Sequence, residues 1–501
     1  MDILRLFLAA SPILVVLYLM LGRGWGGSKA GPAGWLAAAL VGWLGFGAGG
    51  MVLVVAVGRG LLLALFVLYI IWMALFLYEV TAAAGVIRRI GAELPKLVDD
   101  RAGQGLLLAW VFGSFLQGAA GFGVPAAVVA PLLVGLGMGA EVAVVVALLG
   151  HAWAVSFGSL GSSVAALVAA TGMEAAVLVG PAAWLLGGAC LGCGAGVLWW
   201  SGGWAGVRRR WLVWLVLGVV MGVVQGATAV IGLWNMAALA AALAGMVVAI
   251  IWFGWEGGQV DWGQLRPALG PYLLLIVIIL AGETILADVL GVVVLNWEFP
   301  EVVTGQGWVT AGGAGRSINL FGHAGALLFY TSVVTLGWYR WRGALDDEGD
   351  LSWRGVVGRT VRGSRKSTVS IVALVVMAVT MGQAGMTQAL AEGLSGTGAA
   401  FPFLSTFIGA LGAFMTGSNT NSNVVFGALQ METAMAVGTA VPWILAAQTT
   451  GGAIGSMMAP AKIVVGCSTV AGAKEGVVLR WATVSGGVIL VLVAVVMGVL
   501  F

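Results

Sequence analysis

Residues 412–423 read GAFMTGSNTNSN. Seven of the last eight residues, Thr416 to Asn423, carry polar side chains, yet both flanks are apolar. A buried amide or hydroxyl without a partner costs roughly 2–7 kcal/mol. A run of them in an apolar setting therefore needs a shared polar environment. The same outline occurs earlier in the chain. Residues 113–118 read GSFLQG and 412–417 read GAFMTG, so GxFxxG occurs twice, 299 positions apart. Downstream, HAWAVSFGSL at 151–160 is echoed by QTTGGAIGSM at 448–457. Gly158-Ser159 then falls on Gly455-Ser456, and His151 on Gln448. Two ordered matches at nearly one offset predict an internal duplication.

The surroundings of these motifs are those of a membrane protein. Of 501 residues, 61% are hydrophobic and 9% charged, against about 25% charged in a soluble chain. This balance excludes a soluble enzyme, a nucleic-acid binder and a disordered chain. Repeated apolar runs predict an all-α polytopic membrane protein. Twelve spans are expected near 3–21, 31–57, 61–79, 139–170, 174–200, 211–233, 235–253, 270–295, 320–339, 367–392, 433–458 and 481–501. Met1 to Leu21 reads as a first membrane helix and not a removed signal. Glycine makes up 81 residues, which suits close helix packing in lipid. Cys190, Cys193 and Cys467 lie in apolar stretches, and their odd number argues against a disulfide framework.

Two further stretches, 104–137 and 402–430, are interrupted by glycine and polar residues. Neither flank of either reaches the ~20 residues a span needs, so both are expected to be re-entrant hairpins. Such backbone is tolerated at depth only inside protein or around a cavity. The expected organisation is one membrane transport domain, 1–501. Repeat 1 covers 61–200, repeat 2 covers 320–501, and 201–319 supplies connecting helices.

Charge placement orients these elements. Positive residues cluster at Arg23/Lys29, Arg88/Arg89/Lys96/Arg101, Arg208/Arg209/Arg210 and the loop 340–366. Loops of this kind face the cytoplasm. An even number of crossings separates each successive pair, so the assignment is self-consistent and puts the N-terminus outside. The first hairpin then dips in from the cytoplasm and the second from outside. Opposed broken segments predict an inverted-repeat transporter with its site near the midplane.

The tips carry the candidate chemistry. At tip one these are Gln117, Gly118, Ala119, Gly121 and Gly123. At tip two they are Ser418, Asn419, Thr420, Asn421 and Asn423, with Gln448 beyond. Half-helix N-termini present free N–H groups and partial positive charge, which suits a carboxylate. Glycine at a tip allows positive φ and close backbone approach.

The stretches 113–137, 151–161, GALGAFMTGSNTNSNVVFGALQ at 409–430 and AAQTTGGAIGSMMAPAK at 446–462 resemble the lactate permease family. The resemblance covers about 100–480. It implies a multi-pass secondary transporter of the plasma membrane. The cargo it implies is L-lactate or a related small 2-hydroxy monocarboxylate such as glycolate, imported by proton symport. Ser418-Asn419-Thr420 also resembles the tip motif of a wider class of two-hairpin carboxylate and ion transporters. That analogy implies an elevator motion and a homodimer.

The chain departs from the family pattern at both tips. Many lactate permeases carry Glu at the position of Gln117, and some carry Asp at that of Asn419. Lys462 stands where several members are neutral. With two neutral amides at the tips, a sodium-coupled carboxylate transporter is the alternative reading. A passive anion channel is the reading of another class, against which two hairpins closing one site argue.

Few ionisable residues lie at depth, and such residues are functional candidates by default. His151 is a proton-coupling candidate or a neutral core histidine. His323 is a second candidate or an interfacial residue. Glu283 and Asp288 mark the end of an apolar run, and Glu79 and Glu141 sit at helix ends. Lys462 could reach a carboxylate or serve as an inside-positive charge. No Walker motif, metal-ligand cluster or nucleophile–His–acid arrangement is visible, so no cofactor or metal is expected.

Overall fold

The computed structural model describes residues 3–121, 123–345 and 349–501. It is overwhelmingly helical, because runs of Leu, Val, Ala and Ile favour lipid, where a helix satisfies its own backbone groups. Among the described residues, seven helical stretches are long and apolar enough to cross a membrane, or eight if the bent pair 140–171 is one span. One of the seven, Ala175–Trp255, is 81 residues long. It breaks at Gly203, φ +58°, and Gly232, φ +97°.

Two long helices form the centre. Gly50–Ala83 packs antiparallel on Trp353–Gln383: Gly60 faces Val376, and Trp72 Nε1 donates to Thr368 Oγ1 at 2.9 Å. Each ends the same way. Ala84 is followed by Gly85 at φ +77°, and Ala384 by Gly385 at φ +80°. A short helix follows each turn, Val86–Glu93 and Met386–Ser395. The order of elements then recurs. A helix–tip–helix unit comes next, with arms 101–119 and Val124–Gly135, then Phe401–Thr416 and Asn419–Val437. A broken helix pair follows, Ala140–Gly150 with Gly158–Thr171 and Val441–Met457 with Pro460–Ser468. A long helix closes each series, 175–202 and Glu475–Leu500. Proline near the first position opens several of these helices, at Pro125, Pro402, Pro442 and Pro460. There its missing N–H costs nothing.

The two glycine turns lie at opposite ends of the central helix pair. The Ala84 carbonyl accepts from Leu345 N at 2.9 Å, beside the Arg-rich loop 340–366. Gly385 packs instead against Trp308. Trp308 belongs to a β-hairpin over 294–319, whose six short strands pair Val294 with Asn319, Glu298 with Ala314 and Val303 with Val309. The pairing shifts by one residue between Ile318 and Ala314, a bulge on the returning strand. The hairpin tip caps the turn before Gly50: Gly305 N donates to the Gly47 carbonyl at 2.7 Å.

Several expected elements differ. The expected span 31–57 is interrupted, because one helix ends at Phe46 and the next begins at Gly50. The span 433–458 contains the break between Val437 and Val441, and 367–392 contains the Gln383–Met386 turn. The connecting helices expected to reach 319 stop at Leu290, where the β-hairpin takes over. The leading arm of the second helix–tip–helix unit belongs to a 19-residue stretch, Gly398–Thr416. That length lies within the ~17–25 residues of a span, which the sequence reading had denied it.

Candidate functional site

The two tips meet around one cavity of about 460 Å³. Gln117 and Gly123 reach it from the first tip, and Ser418, Asn419, Thr420 and Asn421 from the second. Lys462 reaches it from Pro460–Ser468. Its far end adjoins the Arg23/Lys29 and 340–366 loops through Gly26–Ser28 and Lys366.

First-turn residues of four helices border this cavity: Val124, Ser162 (where regular helix resumes after Gly161), Asn419 and Lys462. Helix N-termini carry unsatisfied N–H groups and partial positive charge. Lys462 and Lys366 add full positive charges, and no Asp or Glu is among the described lining residues. The field inside therefore suits an anion. Lys462 Nζ donates to Ser456 Oγ at 2.9 Å, which leaves further ammonium donors for a ligand.

Behind the wall, a hydrogen-bonded network holds the second tip. Asn419 Nδ2 donates to Ser156 Oγ at 3.0 Å and Thr449 Oγ1 at 3.2 Å. Asn423 Nδ2 donates to the Ser163 carbonyl at 2.8 Å and Thr449 Oγ1 at 2.9 Å. Ser163 and Thr420 hydroxyls lie 3.0 Å apart. Gln430 Nε2 donates to Gln448 Oε1 at 2.7 Å, and Gln448 Nε2 to Ser422 Oγ at 3.0 Å. Ser418 caps its helix by accepting from Asn421 N.

The first tip is shaped by backbone. Gly121 has φ +69°, and a Cβ there would collide with Ser159 Oγ. A Cβ on Gly158 would lie 2.7 Å from Gln117 Nε2. These two glycines leave room for the Gln117 side chain. Ser159 and Leu160, both at φ +49°, adopt the left-handed conformation ahead of Gly161. Holding non-glycine residues there costs about 1–3 kcal/mol each. The Ser159 Oγ bond to the Ala120 carbonyl, 3.0 Å, ties this strained turn to the tip. Two buried oxygens, Gln117 Oε1 and Asn419 Oδ1, have no donor partner, one at each tip.

Other expected site residues lie elsewhere. Gly118 packs against the Leu239 backbone, and Ala119 is buried off the cavity. Asn423 and Gln448 are fully buried in the network and off the cavity surface. His151 is buried, with Nδ1 2.7 Å from the Ala147 carbonyl, and does not line the cavity. His323 is an N-cap: Nδ1 accepts from Gly325 N at 3.2 Å, and the ring stacks on Tyr69. It stands outside the cavity, so the structure does not bring it to the tips. Glu283 is hydrogen-bonded by Asn235, and Glu79 pairs with Arg359 at 2.9 Å. Sequence reasoning missed Ser156, Ser163, Ser370, Gln430 and Thr449. The one signal, for Ser156, Ser163 and Thr449, was the hydroxyl-rich composition of 156–163 and 448–456.

The L-lactate permease family matches residues 5–501. The glycolate permease GlcA of Escherichia coli (strain K12) is 28% identical over 457 residues, covering 82% of this chain and 80% of that protein. An L-lactate permease of Bacillus subtilis (strain 168) is 28% identical over 483 residues, covering 85% and 83%. The solved Alcanivorax borkumensis YdaH transporter aligns over 92% of this chain and 86% of its own, at 15% identity and a TM-score of 0.36, a likeness too distant to bear on the fold. With a family match running almost end to end, this multi-pass plasma-membrane chain belongs to the L-lactate permease family and is a transporter, not an enzyme.

Proposed function

We propose that the chain is a secondary active transporter that imports L-lactate or glycolate. The observation that carries this reading is the cavity between the tips. It is lined by hydroxyls, amides, four helix N-termini, Lys462 and Lys366, with no acidic residue among the described lining. The carboxylate sits against Lys462, Ser418 and Asn419. The Ser159, Ser162 and Ser163 hydroxyls serve the 2-hydroxyl group.

We read the architecture as twelve crossings and two re-entrant hairpins in an inverted repeat. The recurring element order and the opposed contacts of Ala84 and Gly385 support this. The cavity adjoins the Arg-rich loops, which supports an inward-open state. An elevator motion would carry the tips past the long central helices.

Proton symport is the coupling we favour, with His151 as carrier. Sodium coupling is the second reading, favoured by Gln117 Oε1 and Asn419 Oδ1. These are buried oxygens without donors, of the kind a hard cation takes as ligands. The test uses purified protein in liposomes with an imposed pH or sodium gradient. Lactate accumulation driven by pH supports the first reading, and accumulation driven only by sodium supports the second. Loss of saturable counterflow would favour a passive channel and overturn both.

A further inference from the structure

The helices that wall the tip cavity continue past it and wall a second chamber. Ile71, Ser162, Ser370 and Asn419 stand at the first cavity. Further along the same four helices, Leu63, Ala169, Gly382 and Val424 stand at another, of about 620 Å³. Between the two lies an apolar seal that includes Val67, Leu68, Ala166, Ile371 and Val375. The β-hairpin 294–319 covers the second chamber through Trp308 to Arg316. This hairpin lies at the ends of the central helices opposite the Arg-rich loops, so the chamber is on the outer side.

We propose that this outer chamber is an anion-receiving site, in which Arg59 and Arg316 take a small carboxylate before it passes the seal. The proposal deepens the reading of the chain as a carboxylate importer. Both arginines line the chamber, and no Asp or Glu is among its described lining residues. Among the described residues neither arginine makes an ion pair.

Their existing contacts leave donors uncommitted. The Arg316 guanidinium lies 4.2 Å from the Phe66 ring centroid. Among the described residues its guanidinium donates no hydrogen bond. Arg59 donates from Nη2 to the Ala311 carbonyl at 2.8 Å and lies 5.5 Å from the Phe299 ring. The Nε atoms of both are buried and have no hydrogen-bond partner. A buried donor without an acceptor is costly. A carboxylate offers two oxygens in a geometry that matches the guanidinium fork. Anchoring the β-hairpin accounts for Arg59 Nη2 and for both ring contacts, but not for two unpaired Nε donors on arginines that line one chamber.

The test reads charge in the chamber directly. Thr310 lines it and carries no role in the tip network. In intact cells, Thr310→Cys is introduced in a chain whose three buried cysteines are replaced by alanine. Modification rates are measured with sulfonatoethyl and trimethylammonioethyl methanethiosulfonate, each normalised to its rate with a free thiol. The anionic reagent is expected to be favoured. That preference should fall about tenfold or more in the Arg59→Gln/Arg316→Gln double variant and persist in Arg316→Lys. Millimolar lactate should slow modification in the parent and not in the double variant. A second measurement separates this role from a structural one. Arg316→Gln should raise the KM for uptake from outside about tenfold and leave the KM for efflux unchanged. An unchanged reagent preference, or equal KM changes on both sides, would overturn the proposal. If the wild type carries no lactate, the importer reading fails, while the reagent preference still tests the anion site.

Discussion

Asn419 Nδ2 donates to Ser156 Oγ at 3.0 Å across 263 positions of sequence. The bond joins the second tip to the segment that follows the first, so the two halves of the chain share one site wall. Thr449 closes the triangle, 3.1 Å from Ser156 and 3.2 Å from Asn419. The amide is held by two hydroxyls while its oxygen remains unpartnered. Asn419→Ala removes both holds and a group that lines the cavity. A hydrogen bond to a charged partner is worth roughly 1.5–3 kcal/mol. Lactate affinity, measured by calorimetry on purified protein, is expected to fall at least tenfold. Unchanged affinity in folded protein would remove Asn419 from the site.

Lys462 lines the cavity from the first turn of Pro460–Ser468, next to Ala461, which packs on Gly417 of the second tip. Lys462→Gln keeps a hydrogen-bonding partner for Ser456 and removes the charge. Lactate KM is expected to rise tenfold or more, with Lys462→Arg intermediate because guanidinium geometry differs from ammonium. A KM within twofold of wild type would assign Lys462 to inside-positive orientation alone.

The polar run 416–423 was legible because seven polar side chains in an apolar stretch need partners, and GxFxxG marked its counterpart. The partners themselves were not legible. Ser156 and Thr449 are ordinary residues until the chain brings them within 3.1 Å. The β-hairpin was hidden because Val292 to Leu295 continues an apolar run, and its paired strands are two residues each. The break at Gly47 was hidden among 81 glycines, of which 19 carry a positive φ. His323 looked like a coupling candidate because its helix-capping geometry depends on a turn the sequence did not announce.

Gly121 tests the shape of the first tip. At φ +69° its added methyl would be strained and would collide with Ser159 Oγ. Gly121→Ala is expected to abolish transport and lower thermal stability by about 1–3 kcal/mol or more. Ser159→Gly relieves a left-handed residue at φ +49° and removes the colliding hydroxyl. The double variant should therefore recover part of the stability lost in Gly121→Ala, measured as melting temperature in detergent. No recovery would place the strain elsewhere.

Arg210 anchors the Arg-rich end of the bundle. It pairs with Asp100 and donates to Glu256 Oε2 at 2.5 Å, its own side chain 7% exposed. Burial alone would push the Asp100 carboxyl up. The Arg210 hydrogen bond and the Gly103 N–H outweigh it and hold the group below the ordinary carboxylate value. A depressed pKa contributes stability above the unfolded value, lost as pH falls through the folded one. Thermal stability should therefore drop below about pH 4, and Asp100→Asn should flatten that drop. Arg210→Met leaves two carboxylates without their partner. Its cost should fall toward the lower end of the ~3–5 kcal/mol seen for broken buried pairs, since Glu256 is 41% exposed.

In the proposed proton symport, coupling would turn on His151. Proton symport needs a group that gains a proton with substrate and releases it inside, and neither Gln117 nor Asn419 titrates near neutral pH. His151 Nδ1 is committed to the Ala147 carbonyl at 2.7 Å. Nε2 is buried without a partner, behind the cavity wall at the break between Ala140–Gly150 and Gly158–Thr171. A proton on Nε2 would be favoured by an arriving carboxylate, and the carboxylate by the proton, since linkage is reciprocal. His151→Gln keeps a polar side chain of similar reach. It should still exchange labelled lactate across a liposome membrane but no longer accumulate it in response to a pH gradient. Full pH-driven accumulation in the variant would make His151 structural. A wild type that ignores the pH gradient and follows sodium would move the coupling to Gln117 Oε1 and Asn419 Oδ1. Gln117→Leu and Asn419→Leu should then each abolish the sodium dependence.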